Sequence, residues 1–321
     1  MQIKDIKKLE EQFWTNDYKD IPNLRTFNEI LIELSQHKLD FDKNISSERI
    51  EINFEEAYEN IAQLSVLDKK DAKKIIDNIN FLSITSPSTI QSFLDLGIYN
   101  AGKESNMGLL NDSLFTRNRL SYGLNIQSIK GYNHSGEYED VIYAFAGFDL
   151  DLVKKYLPES LGLPDKNTNN FLRPACCLIM TMIYKRKNWI DESTSISEKF
   201  MNLKSAGKYD ILAIRYFLSL LREDINSASL LLQEIADVYT KTSWLFNFRS
   251  KMLKFWGGYV HGLYNFAYFV LPPDKFEQLK RPKHNIFWED FSLFQIEHGC
   301  SKGKNVVDFD ASIEGLNELF Q

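Results

Sequence analysis

Cysteine, proline and glycine are scarce in this chain of 321 residues: three, eight and 15 in all. So few prolines and glycines argue against an all-β chain, which needs more turn punctuation. Three cysteines, Cys176, Cys177 and Cys300, with two of them adjacent, make no disulfide framework and point to a reducing cytoplasm. An excess of basic residues is also missing. The 38 Lys and Arg stand against 44 Asp and Glu, a formal net charge of -6, which disfavours nucleic acid as a partner. The start, MQIKDIKKLEEQFW, is charged throughout, and no signal peptide is expected. One stretch without Lys, Arg, Asp or Glu, Phe255 to Pro273, is long enough to span a bilayer. It holds His261, Asn265, three tyrosines and three glycines and ends in Pro272-Pro273, so it reads as a buried core helix and not as a membrane segment.

What is present is a helical alphabet. Hydrophobic residues make up 44% and aromatics 13%, enough apolar surface to offset the entropy of ordering. Three-and-four spacing predicts helices from Asn23, as cap, to about His37, then over 54–67, 70–81, 89–103 and 106–127. Residues 39–52 read as a connection. A break at 129–136, IKGYNHSG, separates a region 1–130 from a region 131–321, which fold as two domains or pack as one. Beyond it, helices are predicted over 137–147, 149–157, 171–186, 194–205, 209–222, 227–241, 244–271 (weakened at Gly257-Gly258) and 285–298, with a short last one capped by Asp310. Three turns share a layout: Asp68 to Ala72, Asp149 to Val153 and Asp224 to Ala228. In each an Asp follows an apolar helix, and a small or β-branched residue four positions on marks the new helix. The expected fold is all-α: stacked antiparallel helical hairpins, tetratricopeptide-like, or an irregular helical bundle.

Catalytic patterns fail one by one. There is no Glu-x-x-His for a di-iron bundle and no His-Glu-x-x-His for a zinc protease. Glu33 and His37 share a helical face, but two such residues are commonly a surface pair. Cys176 and Cys177 lie in an apolar helix and read as core. Cys300 lies in HGCSKGK, where Lys302 and Lys304 could lower its pKa, yet no orienting His–Asn pair is evident. The same segment imitates a phosphate loop but is one residue short between its glycines, with Asn305 where a Ser or Thr is needed. His261 reads as a core histidine. An enzyme would require His261 or His298 to meet a carboxylate in a pocket. No metal, cofactor or small-molecule substrate is therefore expected. Acidic residues cluster at two predicted helix starts: Glu137, Glu139 and Asp140, then Asp149 and Asp151. They suit the positive ends of helix dipoles, and they are also the candidate edge for docking a basic partner. The aromatics of 244–269 and of 287–294 read as core, or in part as interface anchors.

Four segments carry a family resemblance: YEDVIYAFAGFDLDLVKKYLPE, ILAIRYFLSLLREDINSASLLLQEI, KMLKFWGGYVHGLYNFAYFVL and FWEDFSLFQIEHG, within about 138–299. Together they resemble the polymorphic-toxin immunity family catalogued as immunity protein 49. The shared features are an apolar helix running into an Asp turn, a small–Leu–Tyr–x–x–Ala helix (here Gly262 to Ala267), and a terminal Trp-acidic helix. The resemblance implies an all-helical cytoplasmic antitoxin of bacterial competition, without catalysis, whose partner is a cognate toxin protein. It assigns no contact residues. The competing expectation is a helical-repeat adaptor that holds a peptide or protein in a groove.

Overall fold

Every element among the described residues of the computed structural model is helical. These residues are 26–45, 87–125, 137–164, 170–239 and 251–320. The expected helices over 54–67 and 70–81, and the Asp68 turn, lie outside them. The α-helices are α1 (Phe27–Ile45), α2 (Pro87–Glu104), α3 (Met107–Asn125), α4 (Tyr138–Ala146), α5 (Leu150–Tyr156) and α6 (Leu172–Ile183). They continue with α7 (Lys187–Met201), α8 (Lys208–Leu221), α9 (Ile225–Tyr239), α10 (Gly258–Val270), α11 (Pro273–Phe276) and α12 (Glu289–Glu297). A 3₁₀ segment, Ala311–Phe320, takes the place of the expected last helix. The all-α expectation holds, and the helices pair as sequence neighbours: α2 with α3, α6 with α7, α8 with α9. No described helix is long and apolar enough to cross a membrane.

Two boundaries differ from expectation for local reasons. Helix α1 is capped by Thr26, not Asn23: the Thr26 hydroxyl accepts the Glu29 N–H at 3.2 Å, and the Glu29 carboxylate accepts the hydroxyl in return. The helix then runs on to Ile45 through the expected connection, where LDFDKNI contains neither Gly nor Pro to stop it. Helix α7 begins at Lys187, well before the expected Thr194, because the turn preceding it is only two residues long beyond Tyr184.

That turn is one of a set. Lys185, Phe148 and Glu223 each hold a left-handed backbone, with φ of 51°, 53° and 54°. The next residue sends its N–H back five positions: Arg186 to Thr181 O, Asp149 to Ala144 O, Asp224 to Ser219 O. This closes the outgoing helix. Where that residue is Asp, its carboxylate caps the incoming helix, Asp149 accepting from Leu152 N–H and Asp224 from Ser227 N–H, both at 3.1 Å. The incoming helix starts directly after the Asp, at Leu150 and Ile225, and not four residues on. The residue four positions on, Val153 or Ala228, is buried.

The chain divides into two compact units. The first takes its described residues from Met1–Tyr132, Arg249–Leu253 and Ser301–Gln321. Its core is the α2–α3 pair with α1 and the Ala311–Phe320 segment against it. Residues 301–320, read from sequence as part of the second region, belong here. Val306 N–H donates to the Thr116 hydroxyl at 3.0 Å, Lys304 N–H to the Asp112 carboxylate at 2.8 Å, and Phe320 meets the Phe115 ring. The segment that imitates a phosphate loop is thus spent on packing: a Cβ on Gly303 would lie 2.5 Å from the Asn111 carbonyl.

The second unit is drawn from Asn133–Phe248 and Lys254–Cys300. Its central pair is α4 with α10. Gly258 and Gly262, one turn apart on α10, provide the flat face. A Cβ on Gly262 would sit 2.1 Å from the Ile142 carbonyl oxygen, and one on Gly258 2.5 Å from the Tyr143 ring. Beyond the glycines, the Asn265 amide donates to Ala146 O at 3.0 Å and to the Gln295 carbonyl at 3.1 Å, tying the end of α4 to α12. The uncharged stretch 255–273 thus holds a turn at Trp256-Gly257 and a 13-residue helix, buried from Gly258 to Ala267, as the glycine pair suggested.

Candidate functional site

The five acidic candidates are not gathered into one edge. Glu137, Glu139 and Asp140 stand at the start of α4, and Asp149 and Asp151 lie beyond its far end. A nine-residue helix separates them by about 14 Å along its axis. Asp140 and Asp149 are buried, at 8% and 1% exposure, and the Asp149 carboxylate is occupied in capping α5. Glu137 is half-buried; burial, then the neighbouring charge of Asp140, pushes its pKa up to about 7. Its charge is thus half quenched at neutral pH. Asp151 is exposed and Glu139 half-buried.

His261 lies in the middle of the second unit and is fully buried. Its ring stacks between Trp256 and Phe287, with centroids 5.6 and 4.2 Å away. Burial pulls its pKa down to about 3, so the ring is neutral. The Trp288 backbone N–H donates to Nε2 at 3.1 Å, which leaves the ring proton on Nδ1. Nδ1 is buried without a hydrogen-bond partner. Together with Gly257 N–H to Ile286 O at 2.8 Å and Trp288 Nε1–H to Phe255 O at 2.9 Å, this bond straps segment 284–288 onto the start of α10. Among the described residues no carboxylate meets the ring. Among the described residues no group of three or more His, Cys, Asp and Glu could hold a metal ion.

The cysteines are not activated. Burial drives Cys176 well up and Cys177 up to about 12. The expectation that lysines could lower Cys300 fails: burial raises its thiol, opposed only by a hydrogen bond with the Tyr268 hydroxyl. Lys304 is turned to Asp112 through its backbone instead.

The feature that stands out is a cleft of about 1290 Å³ in the second unit, walled by α10, α11, the turn after α11, and α12. Its inner surface is aromatic. Tyr264 meets Phe276 and Phe287 with ring centroids 5.2 and 5.5 Å apart, and Tyr268 meets Phe276 at 5.4 Å. Tyr268 is 41% exposed, so part of the aromatic cluster does reach the surface. One rim is basic, formed by Lys280, Arg281 and Lys283 with His284 beside them. Arg281 lies against the Tyr264 hydroxyl, countering the upward push of burial on it, and its Nη1 is 3.7 Å from Glu289.

The rim is fixed from behind. Lys280 N–H donates to the Ser229 hydroxyl at 3.1 Å and Lys283 N–H to the Gln233 carbonyl at 2.7 Å. Ser229 and Gln233 are one turn apart on α9, and Leu279 and Pro282 are buried. This site was missed from sequence. Its signal was the run Lys-Arg-Pro-Lys-His at 280–284, where a proline fixes a turn amid four basic residues beside the densest aromatic helix.

Fold and site define an all-α protein of helical hairpins with an aromatic, basic-rimmed cleft in its second unit. No family model matches the chain, and no curated protein or solved structure matches it.

Proposed function

We propose that this chain is a bacterial immunity protein of the cytoplasm, which binds a cognate polymorphic or contact-delivered toxin and neutralises it by direct contact. The observation that carries the reading is where its four resembling segments lie. They supply α4 and α5, α8 and α9, α10, and α12, and nearly all of their residues fall in the second unit, with α4 on α10 and α9 beside α10. A stiff helical body of this kind offers shape and charge complementarity without chemistry. The acidic edge is not the surface to favour for it, since two of its five carboxylates are buried. The test is co-expression with the toxin encoded beside its gene: growth should be restored and the two chains should co-purify. Neither protection nor co-purification would refute the reading.

The cleft favours a second reading, an adaptor that holds a peptide in a groove. An adaptor would bind peptides from several proteins with similar strength, whereas an immunity protein would discriminate its one toxin from relatives by orders of magnitude.

A further inference from the structure

We infer that the cleft between α10, α11 and α12 takes an acidic protein segment that carries an aromatic or aliphatic anchor. The proposal deepens the reading above and rests on it in one respect, that the partner is a protein. Three observations point this way. The walls are aromatic and partly open, with Tyr268 41% exposed, which suits an apolar anchor entering between rings. Lys280 and Lys283 are exposed and make no ion pair among the described residues, on a chain whose net charge is -6. Their backbone N–H groups are bonded to Ser229 and Gln233, which holds the turn that carries both side chains at the rim. Two such side chains on one anchored turn at the mouth of an aromatic cleft complement an anionic partner.

The carboxylates of Glu277 and Glu289 on the same lining decide which anion. They would repel a polyphosphate chain, as would the overall negative charge, whereas a protein segment of mixed side chains can avoid them. Arg281 is the inner contact. Its Nε is buried without a hydrogen-bond partner, and its guanidinium is already oriented by Tyr264 and Glu289. An incoming carboxylate would meet a donor fork with little left to order.

The experiment selects a random-peptide phage library on the intact protein and measures the enriched peptides by fluorescence anisotropy. Selected peptides should combine Asp or Glu with Phe, Tyr, Trp or Leu. Lys280→Glu/Lys283→Glu should weaken them by about tenfold or more, with binding also falling as salt rises. That double variant should fold, since the anchoring bonds come from the backbone, and circular dichroism checks it. Tyr268→Ala provides an independent loss from the aromatic side. Enrichment of basic or uncharged peptides, affinity untouched by the charge reversal, or a single-stranded oligonucleotide binding more tightly than the peptides would each overturn the proposal. The co-expression assay separates this outcome from the first reading. Full protection by Lys280→Glu/Lys283→Glu removes the cleft and leaves immunity standing. Cleft-directed acidic peptides without any protection remove immunity and leave the cleft.

Discussion

Two helix pairs of the second unit are built on different terms. The α8–α9 hairpin joins neighbours in the chain and is turned by a left-handed Glu223 followed by the capping Asp224. The α4–α10 pair joins partners over a hundred residues apart, as in the Tyr138–Tyr259 hydroxyl contact with its separation of 121. It has no turn to define it and depends on two glycines and on polar ties such as Asn265 to Ala146 O. A local pair is specified by its turn; a distant pair must be specified by the shape of its faces. Damage should therefore be severe and irreparable at the distant pair and mild at the local one.

The largest effect is expected at Gly262. Gly262→Ala would put a methyl 2.1 Å from a carbonyl oxygen and should cost about 3 kcal/mol or more, read as a lower urea midpoint. Trimming Ile142 to Ala should not rescue it, because the obstructing atom belongs to the backbone. A Gly262→Ala protein as stable as the parent would break the comparison.

Next comes acid. His261 has a folded pKa of about 3 against an ordinary 6.5, so below pH 6.5 the unfolded chain takes up a proton that the folded chain refuses. The His261 contribution therefore falls as pH drops through that window, by about 2 kcal/mol at pH 5. Glu137 works in the opposite direction. Its folded pKa of about 7 exceeds its ordinary 4.5, so its contribution improves as pH falls from 7 to 4.5. Because the two contributions oppose each other, urea titrations at pH 7 and pH 5 should show Glu137→Gln losing stability on acidification and His261→Phe gaining it, with the parent between them.

The hairpin turns carry smaller effects. Asp149→Ala removes a buried cap and should lower stability by about 1–2 kcal/mol, with a lesser loss for the exposed Asp224→Ala. Smallest, and of opposite sign, Glu223→Gly should stabilise by about 0.5–1 kcal/mol, since glycine suits φ of 54° where Glu does not. Thermal melts of the three variants would order them.

What could be read from residues alone follows the same division. The Asp149 and Asp224 turns were legible because cap, apolar helix and small residue lie within a few positions of one another. The helical class was legible from periodicity. The α4–α10 contact was not: Gly257-Gly258 read as a weakness in a helix, whereas in space Gly258 and Gly262 are a fitted surface. The acidic candidates show the opposite case. Their two clusters in sequence left open whether they share a face; α4 stands between them and burial takes Asp140 and Asp149. The basic rim escaped notice because its meaning comes from Ser229 and Gln233, some fifty residues away, which hold it in place.

The return of residues 301–320 to the first unit sets an order of events on the ribosome. Thr116 waits for Asn305, 189 residues later, with which it shares a hydrogen bond. At about 5–20 residues per second that interval is on the order of 10–40 s. During it the whole second unit is synthesised. The face of α3 that meets 301–320 is thus closed only after the second unit has been made.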